Sequence, residues 1–539
     1  MLFSVIKTYN GKKFVTDVVS GIIVAIIALP LSIALALASG VGPEQGIYTA
    51  IIAGFLISFL GGSRVQIAGP TAAFATIVAG IVAENGMSGL ALATVMAGIL
   101  LVIMGFLRLG SLIRYIPYTI TTGFTAGIAV TILIGQIKDF FGLSYPNGTV
   151  TIETKDKVAA IFENFGTINY EALLVGAVCL AILIVWPYIS SRIPGSLIAV
   201  IVGVVMVKTM NLNVNTIGDL YSIKNSLPPF TMPDFSFEMI TKVAPDAVTI
   251  AILAAIESLL SCVVADGMIN SHHRPNMELI AQGVGNVGSA LFGGIPATGA
   301  IARTAANIKN GGRTPIAGIV HSIVLVLVLV LLMPYASWIP MPTIAAILFM
   351  VAYNMCQWRT FVHLCKTSPK SDILVLVTTF VLTVVFDLVV AIEVGMVMAC
   401  VLFMKRMSEE SAVSGWKYYD PEEDPDGIDL KAIPRHVRVY EISGPMFFGD
   451  ADRLAGVHFK DYTKVIILRM RAVPALDASA MHAMEQLYDR CTEAGVQLVF
   501  SHVNEQPMKT MEKSGFIDKV GRDNFRKHID DAIEWAGTL

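Results

Sequence analysis

The chain has 539 residues, of which 55% are hydrophobic and only 15% charged, whereas a soluble protein carries about 25% charged residues. The net charge of −3 gives no reason to expect a nucleic-acid partner. The six cysteines (Cys179, Cys262, Cys356, Cys365, Cys400, Cys491) form no CxxC pair, so free thiols are expected, with neither a disulfide framework nor a zinc site.

The charge deficit is uneven. From Val15 to about Met404, apolar runs of helix-spanning length follow one another with short polar breaks, and from about Lys405 charges return at soluble density. The expected division is a membrane domain over 1–406, a linker over 407–434 and a soluble domain over 435–539. The first apolar run imitates a signal peptide, with Lys12 and Lys13 before it and small residues at Ala34, Ala36 and Ala38. Because a long series of further spans follows, it is read as a retained first span.

Hydropathy divides the membrane part into 14 segments: 15–38, 46–60, 67–82, 89–107, 118–138, 171–187, 195–212, 246–264, 277–292, 297–308, 314–334, 340–355, 372–389 and 391–405. The third and tenth are short and the richest in small residues. Every second loop is basic, carrying Arg64, then Arg108 and Arg114, Arg192, Arg274, Lys309 and Arg313, and finally Arg359, Lys366 and Lys370. With Lys7, Lys12 and Lys13 inside, this alternation places both termini in the cytoplasm. His272 and His273, beside Arg274, are read as surface residues of a cytoplasmic loop. Asp387 and Glu393 fall near an outer turn and are assigned solvated or capping roles. Gln282 and Asn286 are read as makers of interhelical hydrogen bonds.

The chain resembles itself. Gln45-Gly46 leads to Phe59-Leu60-Gly61-Gly62, as Gln282-Gly283 leads to Leu291-Phe292-Gly293-Gly294. Each Gly-Gly is followed by a small-residue stretch, Ala68-Gly69-Pro70-Thr71-Ala72-Ala73 in one copy and Pro296-Ala297-Thr298-Gly299-Ala300 in the other. Tyr115-Ile116-Pro117 then matches Trp338-Ile339-Pro340. The offset is seven segments, and an odd offset inverts the second copy in the membrane. Inverted repeats with short, Gly/Pro-interrupted segments at matching positions point to a secondary transporter whose site lies where the two broken segments face each other. Half-helix N-termini there offer unpaired N–H groups to an anion.

Two charges sit inside apolar segments. Glu257 lies in the middle of the eighth and Arg303 in the tenth. Each costs roughly 2.5–3.5 kcal/mol at a helix centre on insertion scales. Two readings stand: a structural Glu257–Arg303 ion pair, or an anion attractor at Arg303 with a proton-carrying coupling site at Glu257.

The tail alternates strands with helices: Val437 to Ile442, Lys464 to Leu468 and Val496 to Val503 as strands, Ser479 to Ala494 and Pro507 to Ser514 as helices. This implies a small α/β domain. It contains no Gly-rich phosphate loop, metal-ligand cluster or nucleophile–base pair, so no enzyme, cofactor or metal is indicated. Asp477-Ala478-Ser479 reads either as a helix N-cap or as a phosphorylation site at Ser479.

Together these features resemble the SulP anion transporter family, with a tail similar to its STAS domain. The most specific stretches are Ala255-Ile256-Glu257-Ser258-Leu259-Leu260 through Asp266-Gly267-Met268, Glu278-Leu279-Ile280-Ala281-Gln282-Gly283, and Pro296-Ala297-Thr298-Gly299-Ala300-Ile301-Ala302-Arg303-Thr304. The resemblance implies a seven-plus-seven fold with core and gate domains, elevator-like transport and a homodimer in the inner membrane. It maps the anion site to Thr71, Ala72, Ala297, Thr298, Gly299 and Ala300, with Arg303 nearby. Glu257 and Ser261 stand where sodium-coupled bicarbonate members carry aspartate and threonine, a departure that favours a proton over sodium. Ser479 lacks the following glycine of anti-sigma-factor antagonists.

The leading expectation is a proton-coupled transporter of small anions, with sulfate first and bicarbonate and C4-dicarboxylates after it. A nucleobase carrier of the same fold type, and a membrane-anchored signalling protein acting through its STAS domain, are the alternatives.

Overall fold

Apolar runs become helices, and the breaks fall where the chain supplies a cap or cannot continue. Pro43 at the first position after Gly42 starts one helix, and left-handed Gly142, Asn211 and Asn270 end three others. The structure, a computed structural model, describes residues 1–2, 5, 9–146, 153–190, 194–221, 226–386, 388–410, 412–415, 433–448, 454, 456–458 and 460–539. Lys7, Arg192, Asp387 and the acidic run Asp420–Gly427 lie outside the described residues.

The chain forms two compact units, Met1–Met396 and Val397–Leu539. The helices of the membrane-spanning part are α1 Gly11–Ala38, α2 Pro43–Leu60, α3 Ala75–Phe106, α4 Tyr118–Phe141, α5 Tyr170–Ile189, α6 Gly195–Met210, α7 Phe237–Ile269, α8 Pro275–Leu291, α9 Ile301–Lys309, α10 Ile316–Ala336, α11 Met341–Cys356, α12 Lys370–Val385 and α13 Leu388–Glu410. Gly86, at φ 66°, breaks α3 and divides it between the third and fourth segments, so α1–α13 accommodate all 14. Among the described residues, 8 helical stretches are long and apolar enough to cross a membrane. Glu393 is exposed on α13.

Packing repeats with the seven-segment offset. Helix α8 packs on α3, and its counterpart α2 packs on α10, the counterpart of the second half of α3. Likewise α7 on α3 corresponds to α1 on α10, and α4 on α12 corresponds to α11 on α5. One set, α1–α3 with α7–α10, forms the core, and α4–α6 with α11 and α12 form the gate. Small residues permit the close approaches that hold helices together in lipid. Gly98 and Gly283 face each other so closely that a Cβ on either would strike the other's carbonyl oxygen.

One loop reading is corrected. His273 is not a surface residue: its Nδ1 lies 2.7 Å from Asp266 Oδ2, and its backbone N–H donates to the same oxygen at 2.8 Å. The turn after α7 leaves N–H groups to be satisfied, and Asp266 draws His273 inward. His272 is exposed.

The C-terminal unit is a five-stranded sheet in the order β3-β4-β5-β6-β7, numbered after two short strands of the membrane unit, β1 (Ala68–Gly69) and β2 (Thr298–Gly299). Its strands are β3 Ala412–Gly415, β4 Val437–Ser443, β5 Val465–Ala472, β6 Gln497–Ser501 and β7 Phe525–Arg526. The last four run parallel. Helix α14 (Ala478–Glu493) covers one face, burying Met484 and Leu487 with Ile466 and Leu468. Helix α15 (Ile529–Gly537) covers the other, packing Ala532 and Ile533 against Val465 and Ile467. Strand β3 is antiparallel to β4 and lies inside the stretch read as linker. Val413 explains it, because it pairs with Ile442 and packs on the core.

Candidate functional site

The two broken segments cannot be helical throughout. Gly69 and Pro70 interrupt the first, and Pro296 the second. Extended backbone inside a membrane exposes N–H and C=O groups that water cannot reach, so the protein must satisfy them. It does so first by pairing them: β1 and β2 are antiparallel, with Ala68 opposite Gly299 and Gly69 opposite Thr298. Past β1 the chain enters a 3₁₀ turn, Ala72–Phe74, that leads into α3; past β2 it enters α9. Because the strands are antiparallel, the two helix N-termini point back toward each other across the pair.

Side chains satisfy the remaining backbone. Asn286 donates to Ala297 O and accepts from Ala297 N–H, both at 2.9 Å. Gly299 N–H donates to Ser258 Oγ at 3.3 Å, and Ser258 Oγ lies 2.7 Å from Thr298 Oγ1. Ile67 N–H donates to Thr304 Oγ1 at 3.0 Å, while Ala300 N–H donates to Ile67 O at 2.9 Å. Asn307 donates to Val65 O at 2.8 Å, and Glu278 Oε2 accepts from Gly62 and Ser63 N–H at 2.8 and 3.1 Å. All these side chains are buried.

The expected site residues therefore divide. Thr71, Ala72, Thr298, Gly299, Ala300 and Arg303 lie on or directly after the strand pair. The N–H groups of Ala297, Gly299 and Ala300 are taken by Asn286, Ser258 and Ile67. In the first helical turns, the N–H groups of Ala72 and Ala73, and those of Ile301, Ala302 and Arg303, precede the first turn bonds, which run from Phe74 and Thr304, and so have no intrahelical partner.

Glu257 and Arg303 are not paired with each other. Thr71 Oγ1 donates to Glu257 Oε2 at 2.9 Å. Arg303, only 1% exposed, donates from Nη2 to Pro70 O at 3.1 Å, while its Nε and Nη1 have no hydrogen-bond partner. Gly69 leaves room for it, since a Cβ there would make Nη1 shift. Ser261, one helical turn beyond Glu257, is buried and its hydroxyl is also unpartnered. The site thus combines two helix N-termini, a buried guanidinium with donors to spare, and one carboxylate held by a threonine hydroxyl. The cationic features outweigh the anionic one.

In the C-terminal unit, Asp477 caps α14, accepting from Ala480 N–H at 2.8 Å, and Ser479 is exposed in the first turn.

Ser258, Gln66, Glu278 and Asn307 carry roles that the sequence alone does not assign. Gln66 donates to Ser258 O at 3.4 Å and accepts from the Cys262 thiol. Their common signal is a polar residue within a strongly apolar or small-residue stretch. Asn286 and Gln282 carried that signal, but Asn286 serves the backbone of a broken segment, and Gln282 donates to Glu278 at 2.9 Å on its own helix.

The model of the sulfate permease family matches residues 14–379. The chain belongs to that family. A STAS domain matches residues 428–532. The Bacillus subtilis protein named "Putative sulfate transporter YvdB" is 39% identical over 97% of this chain and 98% of its own length. "Bicarbonate transporter BicA" of Picosynechococcus is 30% identical over 96% of this chain and 94% of its own. The solved transmembrane domain of a cyanobacterial BicA superposes with a TM-score of 0.63 at 28% identity, covering 72% of this chain and 98% of that one. Murine Slc26a9, in an inward-facing state, shares the fold over 100% of this chain and 94% of its own, with a TM-score of 0.88 at 18% identity. The permease family and the multi-pass fold identify a membrane transporter of anions, not an enzyme.

Proposed function

We propose that the chain is a secondary transporter of small anions, driven by protons, with sulfate as its substrate. The observation that carries this reading is the pair of facing helix N-termini beside a buried arginine whose Nε and Nη1 are unpartnered. A small oxyanion can accept from the Ala72–Ala73 and Ile301–Ala302 N–H groups at once, with about half a positive charge at each terminus and a full one on Arg303.

Glu257 supplies the coupling. It is tied through Thr71 to the start of the 3₁₀ turn. An ionised carboxylate and an anion about 4 Å apart oppose each other by roughly 4 kcal/mol at an effective dielectric of ~20. Protonation removes that opposition, and linkage makes the effect reciprocal, so anion and proton bind together. The core, carrying both broken segments, then moves as a body against the gate in elevator fashion. The basic alternate loops support cytoplasmic termini.

The test is uptake into proteoliposomes of sulfate, bicarbonate, a C4-dicarboxylate and a nucleobase, with and without an inward proton gradient. Gradient-stimulated sulfate uptake is expected. Uptake of the nucleobase alone, or of none of the four, contradicts the reading.

A further inference from the structure

The C-terminal unit carries a positively charged cavity lined by none of the residues of the proposed transport site. It has a volume of about 740 Å³ and is lined by Arg435, His436, Arg438, Lys460 and Tyr462 over a floor that includes Val437 and Val439. Its position follows from the sheet. Strand β3 pairs with β4 only from Tyr440 to Ser443, so among the described residues the first half of β4 has no neighbour on that side, and Arg435 to Val439 at this end of β4 line the cavity.

Among the described residues, none that lines the cavity is acidic. Arg438 donates from Nη2 to Tyr462 Oη at 3.2 Å, and Lys460 Nζ lies 5.8 Å from the Tyr462 ring centroid. Among the described residues neither Arg435, Arg438 nor Lys460 is ion-paired with a carboxylate. Elsewhere in the unit, Arg469, Lys509, Lys519 and Arg522 each pair with one. Desolvation pushes the Tyr462 phenol up, but hydrogen bonding and charge from Lys460 and Arg438 outweigh it and hold its pKa below the ordinary tyrosine value. The buried Val437 and Val439 fix β4 against α15, which gives the cluster a rigid base.

Three cations and a phenol converge on a cavity large enough for an ion or a headgroup, and planar guanidinium forks match tetrahedral oxyanions. We propose that Arg435, Arg438, Lys460 and Tyr462 form a binding site for a phosphate- or sulfate-type oxyanion in the STAS domain, separate from the transport site. The group can arrive as a free ion or on a phospholipid headgroup.

The experiment uses the full-length protein in nanodiscs with 3-fluorotyrosine installed at Tyr462, whose ¹⁹F signal reports on this cavity and not on the transport site. One arm titrates inorganic phosphate, and then sulfate, into phosphatidylcholine discs against chloride at matched ionic strength. The other raises the fraction of phosphatidylglycerol in the discs. A saturable shift in the first arm identifies a free ion, and in the second a headgroup. Either shift is expected to vanish in the Arg438→Gln/Lys460→Gln variant. No saturable shift in either arm beyond the chloride control overturns the proposal, as does a shift that the double variant retains.

Discussion

Each unit of this protein starts a helix beside a strand, and the two secure that junction differently. In the membrane unit, β1 and β2 are two residues long, and buried Asn286, Ser258, Thr304, Asn307 and Glu278 are committed to backbone groups around them. In the C-terminal unit the strands bond one another along their length, and apolar residues on both faces provide the core. There the junction before α14 is held by Asp477, which accepts from Ala480 and Phe448 N–H, by Gln506, which accepts from Leu476 N–H and donates to Leu476 O, and by Asn504, which donates to Arg471 O and Val473 O. Where water is excluded, irregular backbone is held by dedicated polar side chains. At the junction before α14 the side chains that do this, Asp477, Asn504 and Gln506, are partly or fully exposed, so solvent can replace a hydrogen bond that is lost.

Asn286→Leu leaves both the N–H and the C=O of Ala297 unpaired in a buried place, at about 1–3 kcal/mol each. The full-length protein in detergent is expected to show a large fall in Tm and to lose transport. Asp477→Ala should cost about 1 kcal/mol, read as faster hydrogen exchange confined to peptides of α14 and the Phe448 turn. If Asn286→Leu proves no more damaging than Asp477→Ala, the contrast between the two units is wrong. Ser479→Ala, which removes an exposed hydroxyl that caps nothing, should leave exchange in α14 within about 0.5 kcal/mol of the parent.

Much of this contrast was legible in the sequence. Apolar run lengths gave the helices, and the repeated Gly-Gly followed by small residues marked the broken segments, because only small residues fit where backbones pair. Glu257 and Arg303 were visible as charges in apolar runs, yet the choice between an ion pair and separate roles was not. That choice depends on where Thr71 and Pro70 fall across the strand pair, which is a matter of register and not of composition. The roles of Asn307 and Ser258 were not legible, because a side chain that satisfies backbone on a distant segment leaves no periodic trace. Strand β3 was hidden because a single Val413 supplies its core contact, too little apolar content to stand out from the polar stretch around it.

The central claim is that Glu257 couples anion movement to protons. Its most direct test is sulfate uptake into proteoliposomes by the parent and by Glu257→Gln, each with an inward proton gradient and without one. The glutamine keeps the shape and can still accept from Thr71, but cannot carry a proton. The account predicts that the gradient accelerates uptake by the parent and has no effect on the variant, which continues to exchange sulfate across the membrane. A variant that retains the parent's full gradient stimulation would contradict it.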